Sequence, residues 1–277
     1  MNNVRYFYLV LTLLVAVACS EKQTKTKIST GKDKEFEVIT VDTSFLVDNV
    51  KIRLQLNQLS EGKDLILLPG WNFPNEHWMD STHISEFAKE SGYNLVMVEM
   101  GKSIYQKTIY PSTRGDWRKE KTITWLGDTL IPQLQKDFSI LTKDRDVSVV
   151  GISTGGRGAI ALLVYKPDLI DHSIALSGDY STLTFPNDNL YRGFFGESEL
   201  NKEIWESEDL TENLTSLKAD ITLVHGKLDR IVTPQHSRYL YVKMKEREMN
   251  VSLVEYSDQE HNYVFWSHVI DSLFSLH

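Results

Sequence analysis

The segment Gly151-Ile152-Ser153-Thr154-Gly155 constrains this chain more than any other. It follows the apolar run Val147-Ser-Val-Val150 and leads through Gly156, Gly158 and Ala159 into a helical pattern, so it reads as a sharp strand-to-helix turn. Such a turn needs glycine on both flanks, because a side chain there would collide with neighbouring backbone, and it leaves the serine oxygen exposed at its apex. Ser153 is therefore the candidate nucleophile.

Short apolar runs recur on both sides of this turn, at residues 64–69, 94–99, 173–177, 220–225 and 251–256, separated by helical patterns over about 82–91, 124–138, 155–165, 234–245 and 262–276. Buried strands alternating with helices predict an α/β fold with a mostly parallel central sheet of about eight strands, covered by helices on both faces. The runs at 35–41 and 50–56 pattern as an antiparallel edge hairpin. In open sheets of this kind, chemistry gathers outside the carboxyl ends of the strands.

A serine hydroxyl needs a base to take its proton and a third group to hold that base in one tautomer. His261 follows the last predicted strand and is the candidate base, whereas His268 falls inside the final helix and His277 is the terminal residue. Asp229 lies just after a buried strand, in His225-Gly-Lys-Leu-Asp229, and is the candidate acid; Asp258 and Glu260 are read as solvated turn residues. His225 is assigned a structural hydrogen-bonding role. The chain order Ser153, Asp229, His261 is that of an α/β-hydrolase and of neither other common serine-triad fold.

An acyl intermediate also needs donors for its developing oxyanion. The backbone N–H of Thr154 is one candidate, and the backbone N–H of Trp71, in the loop Pro69-Gly70-Trp71-Asn72-Phe73, is the other. Trp71 could also wall the acyl pocket. Residues 101–125 follow a strand and hold Tyr105, Arg114 and Trp117, candidates for substrate contact, and Asp179 and Tyr180 beyond another strand end join them.

At this point the sequence resembles the α/β-hydrolase superfamily, and within it the esterase family that includes esterase D, feruloyl esterases, acetyl xylan esterases and the antigen 85 mycolyltransferases. The resemblance runs from about residue 48 to the C-terminus and rests on Leu67-Leu68-Pro69-Gly70, the elbow and its continuation to Ala159, Lys166-Pro-Asp-Leu169, and the strand end at Ser177-Gly178. Proline stands at position 69 where the family pattern has histidine, so no role is carried over from that histidine. Tyr191-Arg-Gly-Phe-Phe-Gly196 followed by Trp205 is similar to the family's small excursion before the acid strand. The resemblance implies the roles already reached: Ser153 attacks, His261 transfers protons and Asp229 orients it.

The N-terminus reads as an export segment. Residues 1–18 carry Arg5, an apolar run and the small residues Ala16 and Ala18, and the uncharged stretch is shorter than the roughly 20 residues a membrane-spanning helix needs. Ala16-Val17-Ala18-Cys19 also resembles the lipobox of bacterial lipoproteins, which makes Cys19 the candidate lipidation site and the sole membrane contact, facing periplasm or cell surface. Residues 19–34 then read as a lipidated cysteine and flexible tether, and residues 35–277 as one catalytic domain. With a single cysteine, an internal disulfide and any cysteine-rich metal cluster are excluded. A formal net charge of -8 offers no field for nucleic acid.

The reading that follows is a serine carboxylesterase without metal or organic cofactor, acting on an ester such as an acetyl or feruloyl group on a carbohydrate. A peptidase or acyltransferase using the same triad, and a weakly catalytic surface binding protein, are the alternatives. The sequence gives no oligomeric state.

Overall fold

The computed structural model describes residues 20–29 and 35–274, apart from residues 59, 61, 187 and 216. Residues 1–18, Cys19 and residues 30–34 lie outside them, as do the export segment and lipidation site assigned there.

The strands are β1 (Ser20–Ser29), β2 (Glu35–Val47), β3 (Val50–Asn57), β4 (Lys63–Leu68), β5 (Tyr93–Val98), β6 (Asp146–Ile152), β7 (His172–Leu176), β8 (Asp220–Gly226) and β9 (Val251–Tyr256). They form one sheet in the order β1-β2-β3-β5-β4-β6-β7-β8-β9. β1 pairs antiparallel with β2, β2 with β3, and β3 with β5. From β5 onward every pairing is parallel.

The sheet thus has nine strands, and the additional one corrects the tether. Ser20–Ser29 pairs along its whole length with β2, from Ser20 opposite Ser44 to Ser29 opposite Glu35. Its polar composition conceals a strand because an outermost strand is held by backbone hydrogen bonds and needs no apolar face. Exposed Lys22 and Lys25 on this edge also oppose pairing with another chain.

The inner strands are apolar on both faces and split the core by strict alternation. Leu65 and Leu67 of β4, Leu95 and Met97 of β5, and Val150 and Ile152 of β6 point to one layer, with Trp78, Ile84 and Phe265. Ile66 and Leu68, Val96 and Val98, and Val147 and Val149 point to the other. The first layer is closed by helices α1 (His77–Ser81), α2 (Ile84–Ser91) and α8 (Tyr263–Phe274). The second is closed by α3 (residues 123–138), α4 (Thr154–Tyr165) and α7 (Gln235–Glu246). Helix α3 spans residues 123–138, with a π-helical turn at Leu126–Leu130 between Ile123–Trp125 and Ile131–Phe138. Two short helices, α5 (Asn189–Phe195) and α6 (Lys202–Glu208), cover a third, aromatic cluster of Trp117, Tyr191, Phe194, Phe195 and Trp205. Among the described residues no helix is long and apolar enough to cross a membrane.

This topology fixes where chemistry can sit. From β4 the chain crosses to β5 on one side and then to β6 on the other, so the strand order reverses between β4 and β6 and opens a crevice at their carboxyl ends. Leu68 and Gly151 are register partners across that junction. The Pro69-Gly70-Trp71 loop and Ser153 therefore emerge side by side.

Candidate active site

Ser153 joins β6 to α4 with φ 55° and ψ −123°. A non-glycine residue at positive φ costs of order 1–3 kcal/mol and persists only where its surroundings impose it. Here its N–H donates to Leu176 O at 2.8 Å and its carbonyl accepts from Arg157 N–H at 3.2 Å. The flanking glycines are sterically required: a Cβ on Gly151 would lie 1.9 Å from Gly155 O, and one on Gly155 would lie 2.1 Å from Leu68 O. The elbow is wedged between β4 and its own helix, and the side chain turns outward.

Asp229 and His261 arrive on two loops latched together where Leu228 N–H donates to Gln259 O at 3.0 Å. One carboxylate oxygen of Asp229, Oδ1, accepts from the backbone N–H groups of Ile231 at 3.0 Å and Val232 at 2.8 Å, which fixes its plane. The other, Oδ2, lies 2.6 Å from His261 Nδ1. His261 Nε2 lies 2.9 Å from Ser153 Oγ. A carboxylate can only accept, so Nδ1 of His261 carries the proton and Nε2 is left as the acceptor for the serine hydroxyl.

A second histidine supports the same acid. His225 Nε2 is 2.9 Å from Val232 O and 3.2 Å from Asp229 Oδ2, while its Nδ1 is 2.7 Å from Ser237 Oγ. Both neighbours of Nε2 are acceptors, so that nitrogen holds the proton and Nδ1 accepts from the Ser237 hydroxyl. Burial pushes the Asp229 carboxyl up, but the hydrogen bonds from His225 and His261 outweigh it, and the carboxyl is held well below the usual range. Trp266 braces His261: its ring stands edge-on to that imidazole with centroids 4.7 Å apart, and its Nε1–H donates to Ser177 Oγ at 3.0 Å.

The loop after β4 closes on Ser153 from the opposite side. A Cβ on Gly70 would approach Ser153 Cβ to 3.2 Å. Asn72, at φ 57°, donates its N–H to Gly101 O at 2.7 Å, and Phe73 N–H donates to Gly70 O at 3.1 Å. Among the described residues no acceptor takes the Trp71 N–H. Thr154 opens α4, where the orphan N–H groups and the helix dipole favour negative charge. A cavity of about 480 Å³ opens over this site, walled by Trp71, Ser153, Thr154 and His261 and by apolar Phe73, Leu190 and Tyr263.

The profile of a protein family described as "Putative esterase" matches residues 48–270. The chain belongs to this esterase family. No curated protein sequence matches it. Among solved structures the esterase is similar to an S-formylglutathione hydrolase of Agrobacterium tumefaciens, at 14% identity and TM-score 0.68, over 90% of this chain and 95% of that one. It is similar to an acetyl xylan esterase of a Thermoanaerobacterium species, at 15% identity and TM-score 0.57, over 99% and 93%. An esterase of Pyrococcus furiosus matches at 19% identity and TM-score 0.55, over 92% and 89%. At these identities the likeness speaks for the α/β-hydrolase fold.

The residues assigned to substrate contact divide. Trp71 and Asp179 line the cavity of the esterase; Tyr105, Arg114, Trp117 and Tyr180 are not on its wall. Tyr105 is buried, its hydroxyl donating to Pro69 O at 2.9 Å, so it steadies the Trp71 loop from below. Trp117 packs edge-on to Trp71 at 5.0 Å, and exposed Arg114 stacks over Trp117 at 4.2 Å while pairing with Asp116. Tyr180 is buried against Gly178. Sequence reasoning did not find the Trp266 brace, and it placed His225 only in a general structural role. The i, i+4 spacing of His225 and Asp229 at a strand end was the available signal for the latter. Asp188, whose carboxylate caps α5 through the Leu190 and Tyr191 N–H groups at the cavity, was hidden because that short helix was not anticipated.

Proposed function

We propose that this esterase is a serine carboxylesterase working through an acyl-enzyme. The observation that carries the reading is the continuous hydrogen-bonded line from Asp229 Oδ2 through His261 to Ser153 Oγ, at 2.6 Å and 2.9 Å. Ser153 Oγ attacks the ester carbonyl carbon as His261 Nε2 takes its proton. The negative charge that develops on the carbonyl oxygen is met by the N–H groups of Thr154 and Trp71. The bond from carbonyl carbon to alcohol oxygen then breaks, and the alcohol leaves with the proton from His261. Water attacks the acyl-enzyme, its proton passes to His261 and then to Ser153 Oγ, and the carboxylic acid departs.

A carbohydrate ester bearing an acetyl or feruloyl group is the proposed setting, supported by the likeness to an acetyl xylan esterase and a ferulic acid esterase. We further propose that the protein is exported and anchored by a lipid on Cys19, which the mass of the mature N-terminus would test. For the reaction, a panel of 4-nitrophenyl, acetyl-sugar and feruloyl esters should be hydrolysed by the wild type. Ser153→Ala should lose at least about 10³-fold in kcat/KM on the ester turned over best. Equal turnover by the alanine variant would remove Ser153 from the mechanism.

A further inference from the structure

The two N–H groups assigned to the oxyanion come from separate parts of the chain: Thr154 opens α4, and Trp71 lies in the loop after β4. Donors of this kind are effective only when they are held in place before the charge develops. The segment after β5 joins the two. It is fastened to the Trp71 loop on either side of Trp71, where Gly101 O accepts from Asn72 N–H at 2.7 Å and the Tyr105 hydroxyl donates to Pro69 O at 2.9 Å.

Its tie to α4 is Arg157, four residues beyond Ser153, whose own N–H donates to Ser153 O at 3.2 Å. Arg157 is wholly buried and spends its guanidinium on three backbone carbonyls: Nε on Ile104 O at 3.1 Å, Nη1 on Asp179 O at 3.1 Å and Nη2 on Glu208 O at 2.6 Å. The carboxylate of Glu208 lies 3.7 Å away and balances the charge. A planar guanidinium presents its five N–H donors in a fixed fork, so one side chain can hold three chain segments at set angles; an ammonium group cannot.

Of the three carbonyls, Ile104 O bears on the oxyanion. It belongs to the peptide that links Ile104 to Tyr105, and the N–H of that same peptide donates to Ser103 Oγ at 2.8 Å. Both ends of the peptide are therefore pinned, and Tyr105 follows it at φ 57°. A non-glycine residue in this region is strained and stays there only where its neighbours impose it. The Tyr105 ring is pressed against α4, where a Cβ on Gly158 would lie 2.6 Å from it, and the hydroxyl reaches Pro69 O.

We propose that Arg157 is a positioning residue for the oxyanion: through the Ile104–Tyr105 peptide and the Tyr105 hydroxyl, it holds the Trp71 N–H in place relative to the Thr154 N–H. This rests on the serine-esterase reading of the same site.

The test is a double-mutant cycle in kcat on 4-nitrophenyl acetate with Arg157→Lys, Tyr105→Phe and the pair, with melting curves to confirm folding. Each protein is also inhibited with 1,1,1-trifluoroacetone. Ser153 Oγ adds to its carbonyl carbon, the serine proton passes to His261, and the carbonyl oxygen becomes an oxyanion facing the same two N–H groups. Each single variant should lose about 10-fold in kcat with KM within about 2-fold, and should bind the ketone more weakly by a similar factor. The pair should lose no more than about 20-fold, because either change cuts the same line. A loss near 100-fold, the product of two independent effects, overturns the proposal, and so does an Arg157→Lys effect confined to KM or to stability. Arg145→Lys weakens the buried pair with Asp64 at the amino ends of β6 and β4, and it should leave kcat and ketone affinity unchanged; an equal loss there would reduce Arg157 to general support of the fold and overturn the proposal. Arg157→Gln replaces the lysine variant in the cycle if that one does not fold. Unchanged kcat and ketone affinity in Tyr105→Phe break the line whether or not the Arg157 variants fold. A wild type that hydrolyses no ester overturns the serine-esterase reading itself, whereas Ser153-dependent turnover with independent losses overturns this inference alone.

Discussion

Nε2 of His225 lies 3.2 Å from Oδ2 of Asp229, the same oxygen that His261 Nδ1 reaches at 2.6 Å. Asp229 is thus gripped by two imidazoles and two backbone N–H groups, and its carboxyl is held down accordingly. A depressed carboxyl contributes stability that is complete above the ordinary aspartate range near ~4 and is lost as pH falls through the lower folded value. His225→Leu removes one of the two lowering imidazole contacts. It should destabilise the protein at pH 7 by about 1.5–3 kcal/mol and move the onset of acid unfolding to higher pH, as read by urea denaturation across the acid range. An unchanged onset would detach His225 from Asp229.

Asp179 should show the opposite pH dependence. Its carboxyl is raised to about 7, so between ~4 and that value the folded state binds more protons than the unfolded one, and stability falls as pH rises. Arg157 and Asp188 act on it electrically, and the Tyr191 hydroxyl adds a lowering contact. Asp179→Asn should therefore gain about 1–3 kcal/mol on the wild type at pH 8 and nothing at pH 4, measured by urea unfolding of the two proteins side by side. A difference independent of pH would contradict a buried, raised carboxyl.

The elbow glycines allow a sharp steric prediction. Gly155→Ala drives a Cβ to 2.1 Å from a backbone oxygen of β4, an atom that cannot swing aside as a flexible side chain would. The variant should lose about 1–3 kcal/mol of stability and most of its turnover, because relief requires moving the strand end that sets Ser153 beside the Trp71 loop. Thermal unfolding and ester kinetics on the same preparation check both halves.

Much of this arrangement could be read from the sequence because it depends on local rules. Ser153 was identifiable from a strand, two glycines and a helix, and the positions of Asp229 and His261 followed from where apolar runs stop. The rest depends on contacts between distant segments. Tyr105 reads as a loop aromatic for substrate contact until the fold places its hydroxyl on Pro69 O and its ring against Gly158. The β1 strand is polar because it lies at an edge. Asp179 was identifiable as a rim residue, but its burial beside Arg157 and Tyr191 is visible only once the fold brings those distant segments together.

The Tyr105 contact gives its own test. Tyr105→Phe deletes one buried hydrogen bond and leaves the ring in place, so stability should fall by about 1 kcal/mol. With Pro69 O released, the Trp71 N–H is less well fixed where the oxyanion forms. The variant should therefore lose about 10-fold in kcat with little change in KM. A change confined to KM would mean that Tyr105 influences binding and not the loop.

The most direct test of the whole account is the intact mass of the protein after exposure to a fluorophosphonate, followed by peptide mapping. The account predicts one adduct per chain, located on Ser153, formed by the wild type, slowed at least about 10²-fold in His261→Ala and absent in Ser153→Ala. A folded wild type that takes up no adduct, or an adduct that persists in Ser153→Ala, would contradict it.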